Sequence, residues 1–144
     1  MQFCKDHEYT YQFKESEFYG LPFEVNDFIS KEGVKDYMMS ICRYSPREYQ
    51  IEGVYDALRH NRKLLISPTA SGKSLMIYSI VRYYVERKQS TLIVVPTTSL
   101  VEQMYKDFAD YGWDVGSYCH KIYAGKERET DSQVIITTWQ SIYK

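Results

Sequence analysis

The apolar positions of the chain fall into two kinds of run that alternate along it. Lys63-Leu64-Leu65-Ile66-Ser67, Thr91-Leu92-Ile93-Val94-Val95-Pro96 and Gln133-Val134-Ile135-Ile136-Thr137-Thr138 are short and nearly continuous. That is the pattern of strands in a parallel sheet covered on both faces. Longer stretches at helical spacing lie between and before them. Residues 27–42 look helical, weakened by Gly33. Ser45-Pro46-Arg47-Glu48 predicts a helix start, with Ser45 as cap, Pro46 at the first helical position and Glu48 completing a capping box. This helix turns Tyr49, Val54, Ala57 and Leu58 inward and ends near His60-Asn61. The stretch from Leu75 through Lys88 is apolar on most faces, as a covered helix is. Ser99-Leu100-Val101-Glu102 is a second capping box, and Leu100, Met104, Phe108 and Tyr111 form a stripe that Gly112 closes. Residues 7–13 alternate aromatic with polar and predict a half-buried strand; 118–123 give a possible further one, and Gly125 to Ser132 a charged loop. Strands alternating with helices predict an α/β fold with a doubly wound, mostly parallel sheet. Residues 1–42 read as a small α+β lead-in and 43–144 as the main domain.

One connection in this pattern carries chemistry. Ser67-Pro68-Thr69-Ala70-Ser71-Gly72-Lys73-Ser74 joins a strand to a helix, the setting a phosphate-binding loop requires. Backbone N–H groups would wrap the phosphates, and the helix start would add its partial positive charge. Gly72 lets the backbone approach, Lys73 would reach the β- and γ-phosphates, and the Ser74 hydroxyl would hold Mg²⁺. Ser67 stands where the general G-x-x-x-x-G-K-[ST] pattern has its first glycine. The bland alternative is an ordinary strand-to-helix turn that contains Gly-Lys-Ser. In open α/β sheets ligands bind at the carboxyl ends of strands. Ser67–Ser74, Pro96–Ser99 and Thr137–Gln140 are all expected at such ends, and so on one rim.

Composition changes this picture little. A chain of 144 residues, 44% hydrophobic and 26% charged, is globular and long enough for one core. No apolar run approaches the ~18 residues of a membrane span, and the first residues lack a signal-peptide layout. No membrane partner is therefore expected. Three widely spaced cysteines suggest reduced thiols and a cytoplasmic setting. Cys4 with His7 and Cys119 with His120 have no second pair at ligand spacing, so no metal cluster is expected from them. The net charge of −1 divides unevenly, −4 over residues 1–40 and +3 over 41–144. A mildly basic main body permits a phosphate-backbone partner without demanding one.

Four separated stretches together resemble the first RecA-like domain of superfamily 2 DNA helicases, and among these the phage recombination and fork-remodelling type. Tyr44 to Gln50, with Arg47-Glu48-Tyr49-Gln50, is similar to the adenine-recognising element that precedes the phosphate loop. Ser67–Ser74 resembles helicase motif I, in which Pro-Thr-Ala/Gly-x-Gly-Lys-Ser/Thr is usual, so the Ser67 departure is mild within this family. Val94 to Gln103 resembles motif Ia, and Ile136 to Ser141 the later nucleic-acid-contacting motif with Thr-x-Gln-Ser. Each outer motif alone is weak; four in the right order are specific.

The resemblance implies a partial RecA-like domain over 43–144 that uses ATP and Mg²⁺. Arg47 and Gln50 would hold the adenine; Pro68, Thr69, Ala70, Ser71 and Gly72 would line the phosphates. Lys73 and Ser74 would be the catalytic pair, Ser74 also the metal ligand. Pro96, Thr97, Thr98, Thr138 and Gln140 would contact one strand of single-stranded or branched DNA. Short donors at helix starts suit sequence-independent phosphate contact, although the same hydroxyls serve equally well as helix caps. Such motors also need an Asp-Glu pair for Mg²⁺ and the attacking water, and no Asp-Glu dipeptide occurs in the chain. The expectation is therefore an ATP-binding segment of a helicase that is inactive without a remaining motor domain, working in the host cytoplasm if phage-encoded. The alternatives are the motor subunit of a restriction enzyme and a binding module that holds ATP or nucleic acid without turnover. A small-molecule kinase would share the loop but has no need of the flanking motifs.

Overall fold

The computed structural model describes residues 25–60, 63–123, 125 and 129–142, so the strand expected over 7–13 lies outside the described residues. The first helix forms as α1 (Lys31–Ile41). Ser30 caps it, accepting from the Gly33 N–H and satisfying one of the donors that every helix start leaves open. Val34 and Met38, one turn apart, face the core.

The next helix, α2 (Glu48–His60), begins later than Ser45-Pro46 predicts. The Arg47 carbonyl accepts from the N–H groups of Gln50 and Ile51, and the Arg47 N–H donates to the Gln50 side-chain oxygen at 2.8 Å. Gln50, three residues into the helix, thus makes the back-bond expected of Glu48 in a capping box. Glu48 is drawn instead into an ion pair with Lys31 of α1, at 2.8 Å. Ile51, Val54 and Leu58 form the buried face, while Tyr49 stays 42% exposed.

Gly72 leads into α3 (Lys73–Glu86), which buries Leu75, Met76, Tyr78, Ser79, Val81 and Val85. It ends when Lys88 enters the left-handed region at φ 60°, which permits the turn into β1 (Thr91–Val95). The following helix, α4 (Thr98–Asp110), starts ahead of the predicted capping box. Thr97 is its cap, the hydroxyl accepting from the Leu100 N–H at 3.3 Å. The buried stripe is accordingly Val101, Met104 and Phe108, with Leu100 left 39% exposed. A short α5 (Val115–Tyr118), which no sequence signal announces, leads into β2 (Cys119–Ile122). The last elements are β3 (Val134–Thr138) and α6 (Trp139–Ile142).

The three strands form a parallel sheet in the order β1–β3–β2, with Ile93 opposite Ile136 and Val95 opposite Thr138. The central strand, β3, buries Val134 and Ile136 completely. Ile93 and Val95 share that face and are buried too, whereas Leu92 and Val94 on the other face are 55% and 48% exposed. Among the described residues β1 is therefore covered on one face, not both. Residues 63–66 also depart from expectation. They form no strand, and Leu64 and Ile66 are 82% and 91% exposed. A strand needs a ladder partner, and β1, at the edge of the described sheet, pairs only with β3.

Aromatic side chains lock the helices together. The Tyr78 ring meets Phe108 at 5.4 Å, Trp113 at 5.9 Å and Tyr111 at 5.2 Å between centroids, joining α3 to the end of α4. Its hydroxyl donates to the Ile41 carbonyl at 2.7 Å, tying in α1. Burial pushes the phenols of Tyr78, Tyr84 and Tyr111 above their ordinary range, and the Cys119 thiol up to about 12. The folded chain therefore holds these protons more tightly than the unfolded chain. Their contribution to stability is complete below the ordinary thiol and phenol values and is lost as pH rises through the folded ones. The urea midpoint should accordingly be lower at about pH 10.5 than at about pH 8. Equal midpoints would show that these groups ionise as readily folded as unfolded.

Candidate functional site

The loop from Ser67 to Ser74 owes its shape to two left-handed residues. Ala70 has φ 62° and Gly72 φ 74°, one on each side of Ser71. Left-handed residues are what let a short loop turn backbone N–H groups to one side, although here the Ser71 N–H is taken by the Pro68 carbonyl at 3.4 Å. A Cβ at Gly72 would lie 2.4 Å from Gln50 Nε2, so both conformation and close approach require glycine there. Ser67, in place of the first glycine of the general pattern, has its hydroxyl hydrogen-bonded to that of Ser71, across the base of the loop.

The second helix grips this loop from the side. Tyr49 donates its phenol proton to the Ser71 carbonyl at 2.7 Å, and Gln50 Nε2 donates to the same oxygen at 3.0 Å. Gln50 is 5% exposed, and a buried amide is stable only when its donors and acceptor are paired. Both ends of its amide are used: the oxygen on the Arg47 N–H, the nitrogen on the loop. Lys73 folds back over the loop, its ammonium donating to the carbonyls of Pro68 at 2.5 Å and Ser67 at 3.1 Å. The Ser74 hydroxyl pairs with that of Tyr111 at 2.7 Å.

Beside the loop lies a cavity of about 260 Å³, lined by Tyr44, Arg47, Gln50, Gly72, Leu75 and Tyr111 among others. The Tyr44 and Tyr111 rings meet edge to face at 6.0 Å. A cavity of about 490 Å³ on α2, reaching Gly53 and Met76, is bounded by Pro68, Thr69 and Ala70. Arg47, Gln50 and Pro68 to Ser74 are thus assembled in one place. The open N–H groups of a helix start, one ammonium and one hydroxyl form a donor set that fits phosphates with a hard divalent cation. Sequence reasoning missed the parts played by Tyr49 and Tyr111, both of which look like ordinary members of apolar stripes. Only tertiary contacts distinguish them.

The remaining predicted residues lie at the carboxyl ends of β1 and β3. Because Val95 pairs with Thr138, the chain leaves the sheet side by side at Pro96–Thr98 and Thr138–Gln140. Pro96, Thr97, Thr98 and Gln140 are exposed, with the Thr97 hydroxyl used as a cap. Thr138 is 4% exposed, and its hydroxyl is paired with that of Ser141 at 3.0 Å. Beyond the loop itself, the described hydrogen bonds of Ser67–Ser74 run to α2 and Tyr111, not to this rim. Tyr111 follows the end of α4 opposite to Thr97, some 20 Å away along a 13-residue helix. Of the three stretches expected on one rim, the described contacts join two. The third, Ser67–Ser74, follows a stretch that takes no place in the described sheet. Among the described residues there is no group of three or more His, Cys, Asp or Glu able to hold a metal ion. Nor is any described helix long and apolar enough to cross a membrane.

Comparison with known proteins covers the same region. Residues 43–144 match the family described as type III restriction enzyme, res subunit. The chain is 37% identical over 107 residues to the ATP-dependent DNA helicase UvsW of Enterobacteria phage T4; the match takes in 71% of this chain and 21% of that protein. Two crystal structures of UvsW from bacteriophage T4 superpose with TM-scores of 0.74 and 0.77, each at 28% identity. They cover 98% and 99% of this chain, which spans 52% and 30% of theirs. The chain thus spans about a fifth of the length of the curated relative. The architecture they share is RecA-like, with a three-stranded, incomplete sheet in this chain.

The close approach at Gly72 is open to direct test. Gly72→Ala should destabilise the fold by about 1–3 kcal/mol through the left-handed backbone, with a further cost from the Gln50 amide. In a Gln50→Ala background the clash is gone, so the two changes together should cost less than their sum. Thermal melting of the four proteins measures this; strict additivity would show that Gln50 does not press on Gly72.

Proposed function

The chain belongs to the family described as type III restriction enzyme, res subunit, a family of helicase-type domains, and from that membership we propose that residues 43–144 are the ATP-binding segment of an ATP-dependent DNA helicase or translocase. The observation that carries this reading is the glycine-dependent loop held at the Ser71 carbonyl, with Lys73 folded over it. The identity to a phage DNA helicase favours a helicase over the motor of a restriction enzyme, which would share the family.

In this reading each group has a task. The loop N–H groups bind the phosphates, and Lys73 exchanges its two carbonyl partners for phosphate oxygens, a charge-assisted bond in place of neutral ones. Ser74 supplies a hydroxyl oxygen to Mg²⁺, which when bound offsets charge on the phosphates. Arg47 and Tyr44 border the base in the cavity beside the loop. Gln50, with both amide ends engaged, serves the base chiefly by fixing the loop edge on which it rests. Pro96, Thr97, Thr98, Thr138 and Gln140 mark a DNA track, single-stranded or branched, in which backbone and short neutral donors meet phosphates. Residues 1–42 are a lead-in to this domain. With no Asp-Glu pair in the sequence to position water, this polypeptide on its own binds ATP without turning it over, and hydrolysis belongs to a motor completed by further domains.

Two measurements test the reading. Fluorescent ATP titrated into the wild type and Lys73→Ala, with circular dichroism as folding control, should bind the variant roughly 10- to 100-fold more weakly, the effect of a charged hydrogen bond. Phosphate release with and without forked DNA should stay at the level of the variant. Equal affinities in two folded proteins would remove the phosphate-loop assignment. For the track, single-stranded DNA binding should be weak and its salt dependence shallow, because neutral donors release few counterions. A steep slope would place DNA on a basic surface elsewhere.

A further inference from the structure

Two groups at the end of the loop are already engaged: Lys73 on the carbonyls of Ser67 and Pro68, and Ser74 on Tyr111. The second contact comes from outside the loop. We propose that Tyr111 is a positioning residue for Ser74, holding its hydroxyl in a resting arrangement that Mg²⁺ with a nucleotide must displace. The proposal rests on the reading of Ser74 as the metal ligand.

Three observations support it. The Tyr111 ring is fixed independently of its hydroxyl. It packs on Tyr78 at 5.2 Å and on Tyr44 at 6.0 Å. Its N–H donates to the Asp107 carbonyl at 2.9 Å, and its carbonyl accepts from the Arg43 N–H at 3.4 Å. The phenol is thus delivered to Ser74 by a rigid mount, not by a mobile side chain. Next, Tyr111 forms part of the wall of the 260 Å³ cavity with Arg47, Gln50 and Gly72, so a ligand entering there meets the ring directly. Finally, the chemistry of the pair has a direction. A phenol O–H is more acidic than an alcohol O–H, so Tyr111 is the better donor and Ser74 the better acceptor. The bond then takes one of the two Ser74 lone pairs and, by holding the hydroxyl toward Tyr111, fixes the direction in which the other points. Mg²⁺ demands near-ideal octahedral geometry and tolerates a turned-away ligand poorly. The hydrogen bond and the metal contact therefore compete for the orientation of one hydroxyl.

Tyr111→Phe keeps the ring and removes only the donor. Its counterpart is Ser74→Ala, with Tyr111→Phe/Ser74→Ala closing a double-mutant cycle. The probe is fluorescent ADP on the full chain, titrated in EDTA and at increasing Mg²⁺. In EDTA the wild type and Tyr111→Phe should bind equally. With saturating Mg²⁺, Tyr111→Phe should bind roughly two- to tenfold more tightly, the scale of one released hydrogen bond, and should reach half-saturation at lower Mg²⁺. In the Ser74→Ala background, Tyr111→Phe should change nothing. Melting without ligand gives an independent readout: each single variant and the double should lose the same increment of melting temperature, as one shared bond requires. Unchanged or weaker Mg²⁺-dependent binding by a folded Tyr111→Phe overturns the proposal, as does a full effect in the Ser74→Ala background. Lys73→Ala separates the two levels. If the wild type binds no more tightly than Lys73→Ala, the phosphate-loop reading itself fails; if it does and the cycle is flat, only the role of Tyr111 fails.

Discussion

The Ser71 carbonyl accepts two hydrogen bonds from neighbouring side chains of one helix, and the shape of the loop depends on that grip. A loop with left-handed residues at Ala70 and Gly72 is strained, because a non-glycine residue at positive φ pays in conformational energy. Such a conformation persists only where its surroundings over-determine it. Here Tyr49 and Gln50 fix the carbonyl, Ser67 ties across to Ser71, and the start of α3 continues the chain. The second helix is in turn held to α1 and α3 by Ile51, Val54 and Leu58, so the apolar core reaches the loop through one helix.

Tyrosine supplies many of the joints in this arrangement. Tyr78 binds α1 to α3, Tyr49 binds α2 to the loop, Tyr111 joins the end of α4 to Ser74, and Tyr123 reaches Glu102 from beyond β2. In each case the ring lies against apolar neighbours or a surface while the hydroxyl finds a partner, the dual character that suits tyrosine to half-buried sites. The abundance of this residue, uninformative as a count, becomes structural once the partners are known.

The alternation of runs was enough to place α1 to α4, β1 and β3, because continuous apolar strands and amphipathic helices leave distinct periods in the sequence. Helix starts were less legible. Ser45 and Ser99 are caps by residue type, yet Arg47 and Thr97 head the helices, because the Arg47 N–H finds the Gln50 side-chain oxygen and the Thr97 hydroxyl caps the Leu100 N–H. The strand expected at 63–67 has the right composition and no partner among the described residues. Pairing is a property of two segments, which no single run of residues reveals. At the site, Gly72, Lys73 and Ser74 stood out because their spacing follows from local backbone geometry. Tyr111 did not, since 37 residues separate it from Ser74 and only packing brings the two hydroxyls together.

The same chemistry that ends a helix cleanly also makes it a binding surface, and this chain uses each such group with a different balance. Thr97 commits its hydroxyl oxygen to the Leu100 N–H, yet an O–H proton remains that can be donated to a phosphate. Gln50 has less to spare, because its oxygen is on Arg47 and its nitrogen is on the loop. A ligand that engaged both ends of that amide would have to share it with two existing bonds, one of which shapes the Ser67–Ser74 loop. In the ATP-binding reading proposed above, contact with the base and the shape of the loop would be coupled through one side chain. In that reading a nucleotide that disturbs Gln50 would also loosen the loop proposed to hold its phosphates.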